Sequence, residues 1–358
     1  MKRSFLILSF FVWALFNRQA EAQPHTRMDT VPADSIRNWL AAFHVPAVGI
    51  GIIEDGRVSS VRVYGDLYPG APAPENTLWN LASLTKPVTA LVTLALVNKG
   101  LWNLDEPMSK YYTDPDIKDN PWTAELTTRI LLSHQSGFKN WRFLEPDKKL
   151  AFHFEPGKGY KYSGEGLEYL RKALESRFHK SLQQLAAEYL FLPLGMKDTR
   201  YSWSNAVDSS RFAWAQNDKG VIYTGRRTEA NAADFVLTTV ADYSKFGALV
   251  INGGGLTADL YRQMCTAQVH MDTLAAHQMQ GMGLGWEVIR GLPNGEFALT
   301  HNGSDPGVST FILLLPKSKR GIAIFTNGDG GSQVVARILK ASKIDLAREL
   351  AAYMGEFR

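Results

Sequence analysis

The apolar positions of this chain change their period along its length. From Val48 to Ile53 branched aliphatic residues alternate with glycine, Glu54-Asp55-Gly56-Arg57 interrupts, and Val58 to Tyr64 follows as a second strand-like run. Strand-like runs on both sides of an Asp-Gly pair predict a β-hairpin closed by a tight turn. A second hairpin is predicted near the other end, with Gly307 to Leu315 and Gly321 to Thr326 flanking the basic stretch Lys317-Ser318-Lys319-Arg320. Two apolar hairpins so distant in sequence satisfy themselves best by pairing in one antiparallel sheet. Between them, from about Leu84 to Cys265, the pattern is mostly helical, as over 167–178 and 182–190. Residues 334–354 read as a closing helix, interrupted or continuous, over one face of the sheet. The expected fold is therefore α/β (α+β): an antiparallel sheet built from both chain ends (about 28–78 and 280–358), flanked by helices, with a mostly helical region (about 79–279) inserted. All of it forms one domain, 23–358, without internal repeats.

The first 22 residues have another pattern. Lys2 and Arg3 precede an apolar run from Phe5 to Phe16, and Ala20-Glu21-Ala22 forms a small-x-small site. This predicts a signal peptide cleaved before Gln23, and a periplasmic or secreted protein. The run is too short to span a bilayer, so no stable membrane anchor is expected. Cys265 is the only cysteine. That excludes an internal disulfide and a lipid-modified cysteine at residue 23, and leaves stability to the core. The formal net charge is +4, part of it in the leader. The clusters Arg226-Arg227 and 317–320 read as a loop and a hairpin tip rather than a phosphate-tracking stripe, so no nucleic-acid partner is expected. Nothing in the sequence sets an oligomeric state.

The chemistry starts at Ser83-Leu84-Thr85-Lys86. A serine hydroxyl is a poor nucleophile without a base in reach, and positions i and i+3 of a helix share a face. Pro87 fits only the first turn of a helix, and the nearly all-apolar stretch from Val88 to Val97 reads as its buried body, ended by Gly100. Ser83 would then sit at the helix entrance beside Lys86. Ser136-Gly137-Phe138-Lys139 repeats the spacing, but it follows Ile130-Leu131-Leu132 and abuts a glycine, which reads as a helix exit. Two other segments can reach a cleft. One is the glycine-dense loop from Phe154 to Gly166. The other is Thr300 to Gly307, where small residues at 303 and 304 would let a substrate lie along a strand edge. No Gly-x-Ser-x-Gly or His-Glu-x-x-His pattern occurs, and no metal or cofactor is expected. His134 reads as a packing or capping residue, Trp122, Trp141, Trp203 and Trp214 as core or rim, and Asn327 as a turn residue.

The chain resembles the serine β-lactamase and penicillin-binding superfamily, in its branch of class C β-lactamases, D-alanyl-D-alanine peptidases, D-aminopeptidases and related esterases. The motifs that carry the resemblance are Asn80 to Lys86, Leu131 to Gly137, Pro156-Gly157 with Tyr162-Ser163, Pro193 to Met196, Gly283-Leu284-Gly285-Trp286, and His301-Asn302-Gly303. The resemblance implies an acyl-enzyme on Ser83, with Lys86 and Tyr162 transferring protons and the N–H groups of Ser83 and Ser304 forming an oxyanion hole. For Tyr162 to act as the base, a neighbouring Lys86 cation would have to lower its pKa well below about 10. Tyr162 is preferred over Tyr160 by its step from Pro-Gly. Two departures shape the expected substrate. Gly164 stands where the family usually has asparagine, with Glu165 beside it either as a partial substitute or as an acid at a helix N-terminus. His301 stands where β-lactamases usually carry lysine, and so attracts a substrate carboxylate less. Both tilt the expected substrate, a small molecule or peptide, towards esters, amides or D-amino-acid peptides. A penicillin-binding sensor that acylates without efficient turnover is the competing expectation.

Overall fold

The computed structural model describes residues 31–68, 70–275 and 278–342. The proposed leader and the part of the closing helix beyond 342 lie outside them. The strands are β1 (Ala47–Glu54), β2 (Arg57–Tyr68), β3 (Ala71–Pro72), β4 (Leu78–Asn80), β5 (Leu237–Thr239), β6 (Val269–Ala275), β7 (Gln278–Met282), β8 (Glu287–Arg290), β9 (Ala298–Asp305), β10 (Val308–Leu315) and β11 (Arg320–Thr326). Nine of them form one sheet in the order β3-β2-β1-β11-β10-β9-β8-β7-β6, and β4 pairs with β5 apart from it. Both predicted hairpins are present. Asp55 and Gly56 both take positive φ, 51° and 69°, as a tight hairpin turn requires. The two hairpins join where β1 runs antiparallel to β11, with Ile50 opposite Ile324.

Helices cover both faces. They are α1 (Ala33–Ala42), α2 (Thr85–Asn98), α3 (Thr128–Leu132), α4 (Gly164–Phe178), α5 (Leu182–Ala186), which continues through a π-helical turn into α6 (Leu192–Leu194), then α7 (Val240–Ile251), α8 (Ala258–Met264) and α9 (Gly331–Ala341). Alternation along β1 divides the core. Val48, Ile50 and Ile52 face α1 and α9, packing on Ile36, Leu40, Val335 and Leu339. The glycines between them face α7, which comes so close that a Cβ on Gly51 would lie 2.0 Å from Ser244 Oγ. The larger cluster on this side includes Val240, Tyr243, Phe246 and the buried length of α2.

Two expectations change. Strands β6 and β7 extend the sheet through residues assigned to the helical insertion, so its sheet part begins near Val269 rather than near 280. The insertion is also less helical than its pattern predicted, with irregular stretches such as 99–127 and 195–236 between helices. Residues 300–305 lie within strand β9.

Candidate active site

Ser83 sits in a 3₁₀ turn, Ala82–Leu84, that feeds directly into α2. The turn is held on all sides. Asn80 Oδ1 accepts the Ala82 N–H at 2.9 Å, Leu81 N–H donates to Val236 O, Thr310 Oγ1 donates to Leu81 O, and Tyr243 OH donates to Leu84 O. Ala82 has φ +46°, a left-handed conformation that costs a non-glycine residue about 1–2 kcal/mol. Complete burial of Leu81, Ala82 and Leu84 offsets that strain and fixes the hydroxyl in place. One turn on, Lys86 is 1 % exposed. Its Nζ lies 2.9 Å from Ser83 Oγ and 2.8 Å from Ala233 O. Burial drives its pKa down to about 7, against the opposing pull of Asp234 and Asp305. Near neutral pH a large share of Lys86 is therefore free amine. An amine N–H can donate to Ala233 O while its lone pair faces Ser83.

His134 positions the tyrosine loop. It adopts φ +56°, its Nδ1 accepts the Ser163 N–H at 3.1 Å, its carbonyl accepts the Lys161 N–H, and its ring centroid lies 4.5 Å from that of Tyr162. Burial, then the charges of Lys86 and His301, hold His134 neutral. The packing role expected for it is thus packing against Tyr162 and the loop that carries it. The Tyr162 hydroxyl bonds to Ser83, and Lys86 Nζ lies 4.6 Å from the tyrosine ring centre. The expectation of an acidified tyrosine is overturned. Burial raises the Tyr162 pKa above the ordinary tyrosine range, and the bond to Ser83 only partly opposes it. A lysine whose own pKa burial has lowered to about 7 supplies too little charge to reverse this. Of the two, Lys86 is the group that burial brings towards its uncharged form near neutral pH, while burial holds the proton on Tyr162.

Strand β9 brings in the third segment. β8 pairs with it only over Ala298–Thr300, so from His301 onward this edge has no strand partner among the described residues. Gly303 allows the strand to press on the Ser83 turn, because a Cβ there would lie 2.3 Å from Leu81 O and 3.0 Å from Leu84 N. Alternation puts His301, Gly303 and Asp305 on this face, while Asn302 and Ser304 are exposed. His301 is 1 % exposed, with Nδ1 2.7 Å from Asn302 O. Burial, and then Lys86, lower its pKa to about 3. It is a neutral ring, a stronger departure from a carboxylate-binding lysine than the sequence implied. With Nδ1–H directed at the carbonyl, Nε2 is a buried acceptor with no donor among the described residues.

The place of the missing asparagine is filled. A Cβ on Gly164 would lie 2.7 Å from the Trp141 indole, which stacks at 11° on the exposed Phe143. Trp141 is thus wall rather than remote core. Glu165 does not replace the amide: its oxygens accept from Arg142 N, Nε and Nη2 at 3.0, 3.0 and 2.9 Å. Ser136, the other three tryptophans and Asn327 have structural roles. Ser136 Oγ accepts from Phe138 N while Lys139 pairs with Glu145, Trp122 packs on Phe152, Trp203 and Trp214 flank Arg226, and Asn327 ties Ala47 N to Trp214 O. Sequence reasoning missed Ala233, Asp234, Asp305 and Glu287. Burial raises the Glu287 carboxyl to about 7, and its charge helps keep the proton on Tyr162. Glu287 directly follows the Gly283-Leu284-Gly285-Trp286 motif, which was a signal for it; Ala233 and Asp234 had none.

This placement of Ser-x-x-Lys, tyrosine and His-Asn-Gly segments agrees with sequence comparison: the profile of the beta-lactamase family matches residues 33–344. The chain belongs to the beta-lactamase family. Within it, the chain is 25 % identical over 325 residues to Protein flp of Staphylococcus aureus (strain MW2), covering 84 % of this chain and 62 % of that protein. It therefore spans less than two thirds of that curated relative. Among solved structures, the octameric penicillin-binding protein homologue from Pyrococcus abyssi superposes with a TM-score of 0.71 at 23 % identity, over 90 % of this chain and 77 % of that one. The D-amino acid amidase from Ochrobactrum anthropi SV3 complexed with L-phenylalanine gives a TM-score of 0.70 at 22 % identity, over 91 % and 99 %. These establish the beta-lactamase/transpeptidase-like fold.

Proposed function

We propose that this family member is an exported serine hydrolase that forms an acyl-enzyme on Ser83 and acts on esters, amides or D-amino-acid peptides. The observation that carries the reading is the 2.9 Å approach of Ser83 Oγ to an amine that burial has brought to a pKa of about 7. Lys86 takes the hydroxyl proton as Ser83 Oγ bonds to the substrate carbonyl carbon. The resulting oxyanion is held by the N–H groups of Ser83 and Ser304. As the scissile bond breaks, the leaving nitrogen or oxygen takes the Tyr162 proton, which the Lys86 ammonium replaces. Water then attacks the ester, giving its proton back through the same pair, and the acid leaves with Ser83 restored.

Substrate choice follows from the walls. With Trp141 against Gly164 no side-chain amide awaits an acylamino carbonyl, and neutral His301 offers no cation to a carboxylate. Both features disfavour β-lactams. Residues 1–22 would direct the chain to the periplasm or beyond. Intact-protein mass spectrometry against time, with p-nitrophenyl acetate, a penicillin and a D-Ala-D-Ala peptide, tests this. An adduct that forms and decays in the unaltered chain and never forms in Ser83→Ala is expected. A penicillin adduct that persists would instead indicate a sensor, and adducts surviving Ser83→Ala would refute the assignment.

A further inference from the structure

The reaction as written uses neither Asp234 nor Asp305, although both stand beside it. Asp305 ends β9 on the face that His301 and Gly303 turn towards the nucleophile turn. Asp234 directly follows Ala233, whose carbonyl accepts from Lys86. The two carboxyls hydrogen-bond to each other, and both act on the charge of Lys86. Burial, and then the adjacent Asp234 charge, raises the Asp305 carboxyl to about 7. Arg227 Nη2 lies 3.2 Å from Asp234 Oδ2, but that arginine is half exposed. Asp234 itself is only 4 % exposed, and its Oδ1 has no hydrogen-bond partner among the described residues. His301 Nε2, on the same strand face, is a second buried acceptor without a donor. Buried acceptors left unpaired are costly, and this side of the cleft holds these two among the described residues. Asp305 is only partly buried, so a ligand can reach the pair. On the opposite wall, Gly164 offers nothing to an acylated nitrogen.

We propose that Asp234 and Asp305 form a subsite for a free ammonium group on the substrate, so that the acyl unit delivered to Ser83 is an amino-acid residue with an unblocked amine. An ammonium brings three N–H donors and a positive charge to a carboxyl pair whose one side-chain ion-pair partner, Arg227, is half exposed. Acetylation removes the charge and leaves a single N–H. The proposal rests on reading Ser83 as the nucleophile, and it names the class of substrate that the nucleophile receives.

The test separates binding from turnover. Calorimetric titration of the Ser83→Ala chain with D- and L-phenylalaninamide, and with their N-acetyl forms, measures recognition alone. At least one free amine is expected to bind about tenfold or more tightly than its N-acetyl form. Asp305→Asn and Asp234→Asn, each added to Ser83→Ala, are expected to bring that ratio close to one. General damage to the fold would weaken both ligands and leave the ratio standing. Equal binding of amine and N-acetyl forms, or a ratio unchanged in both variants, would overturn the subsite. Turnover of the same amides by the unaltered chain reports separately on Ser83. Selective binding without Ser83-dependent turnover would sink the hydrolase reading and leave the subsite. Turnover without selectivity would sink the subsite alone.

Discussion

Replacing Lys86 by methionine should make the protein less active and change how its stability depends on pH. The folded-state pKa of Lys86 is lowered from 10.5 to about 7 by burial, a difference of about 5 kcal/mol between its charged and neutral forms. Below pH 7 the folded and unfolded chains both hold the proton, and the full cost of the buried charge is present. Between pH 7 and 10.5 the unfolded chain holds a proton that the folded chain has lost, so stability rises by about 1.4 kcal/mol per pH unit. Above 10.5 both forms are neutral and the slope ends. Lys86→Met has no such group. Urea unfolding at intervals from pH 6 to 9.5 isolates the effect, because other titrating groups cancel in the difference between the two proteins. Stability of the unaltered chain minus that of Lys86→Met should be flat below pH 7 and rise by about 2 kcal/mol between pH 7 and 9. Parallel curves would mean that Lys86 keeps its proton in the folded state, and would refute its role as base.

Gly164→Asn should destabilise by about 1–3 kcal/mol through overlap with the Trp141 indole, and Trp141→Ala in the same chain should recover part of it in a double-mutant cycle; additive effects would mean the two do not touch. Arg142→Met strips the cation from buried Glu165 and leaves buried Asp114 only Lys172, at 3.4 Å, and should cost about 3–5 kcal/mol in urea unfolding; a loss under about 1 kcal/mol would mean that the cluster is no better than an exposed pair. His301→Lys adds a cation beside Lys86 and should move the lower half-point of the pH–rate profile below 7; an unmoved half-point would mean that position 301 does not act on Lys86.

Local pattern carried the parts of the fold that are local. The alternation of Val48 to Ile53, the Asp55-Gly56 turn and the apolar run behind Pro87 each predict one element from neighbouring residues, and those elements form. Family resemblance joined Ser83 to Tyr162 and His301. What escaped prediction depends on distant packing. Nothing near Lys86 in sequence marks Ala233 as its acceptor, because an irregular stretch brings that carbonyl back across the fold. The direction of the Tyr162 shift is set by enclosure, which spacing does not report. Gly164 reads as a lost amide in the sequence, because the Trp141 indole that takes up its space belongs to a separate segment. β6 and β7 escaped because their mixed polar and apolar residues give no clean period of two.

The central claim is that Lys86, and not Tyr162, takes the proton from Ser83. Single-turnover acylation of Ser83 by p-nitrophenyl acetate, followed from pH 5 to 10, tests it most directly. The rate should rise with a half-point near 7, keep that half-point in Tyr162→Phe even where the rate falls, and lose the dependence in Lys86→Met. A half-point near that of tyrosine, about 10, that disappears in Tyr162→Phe would contradict the account.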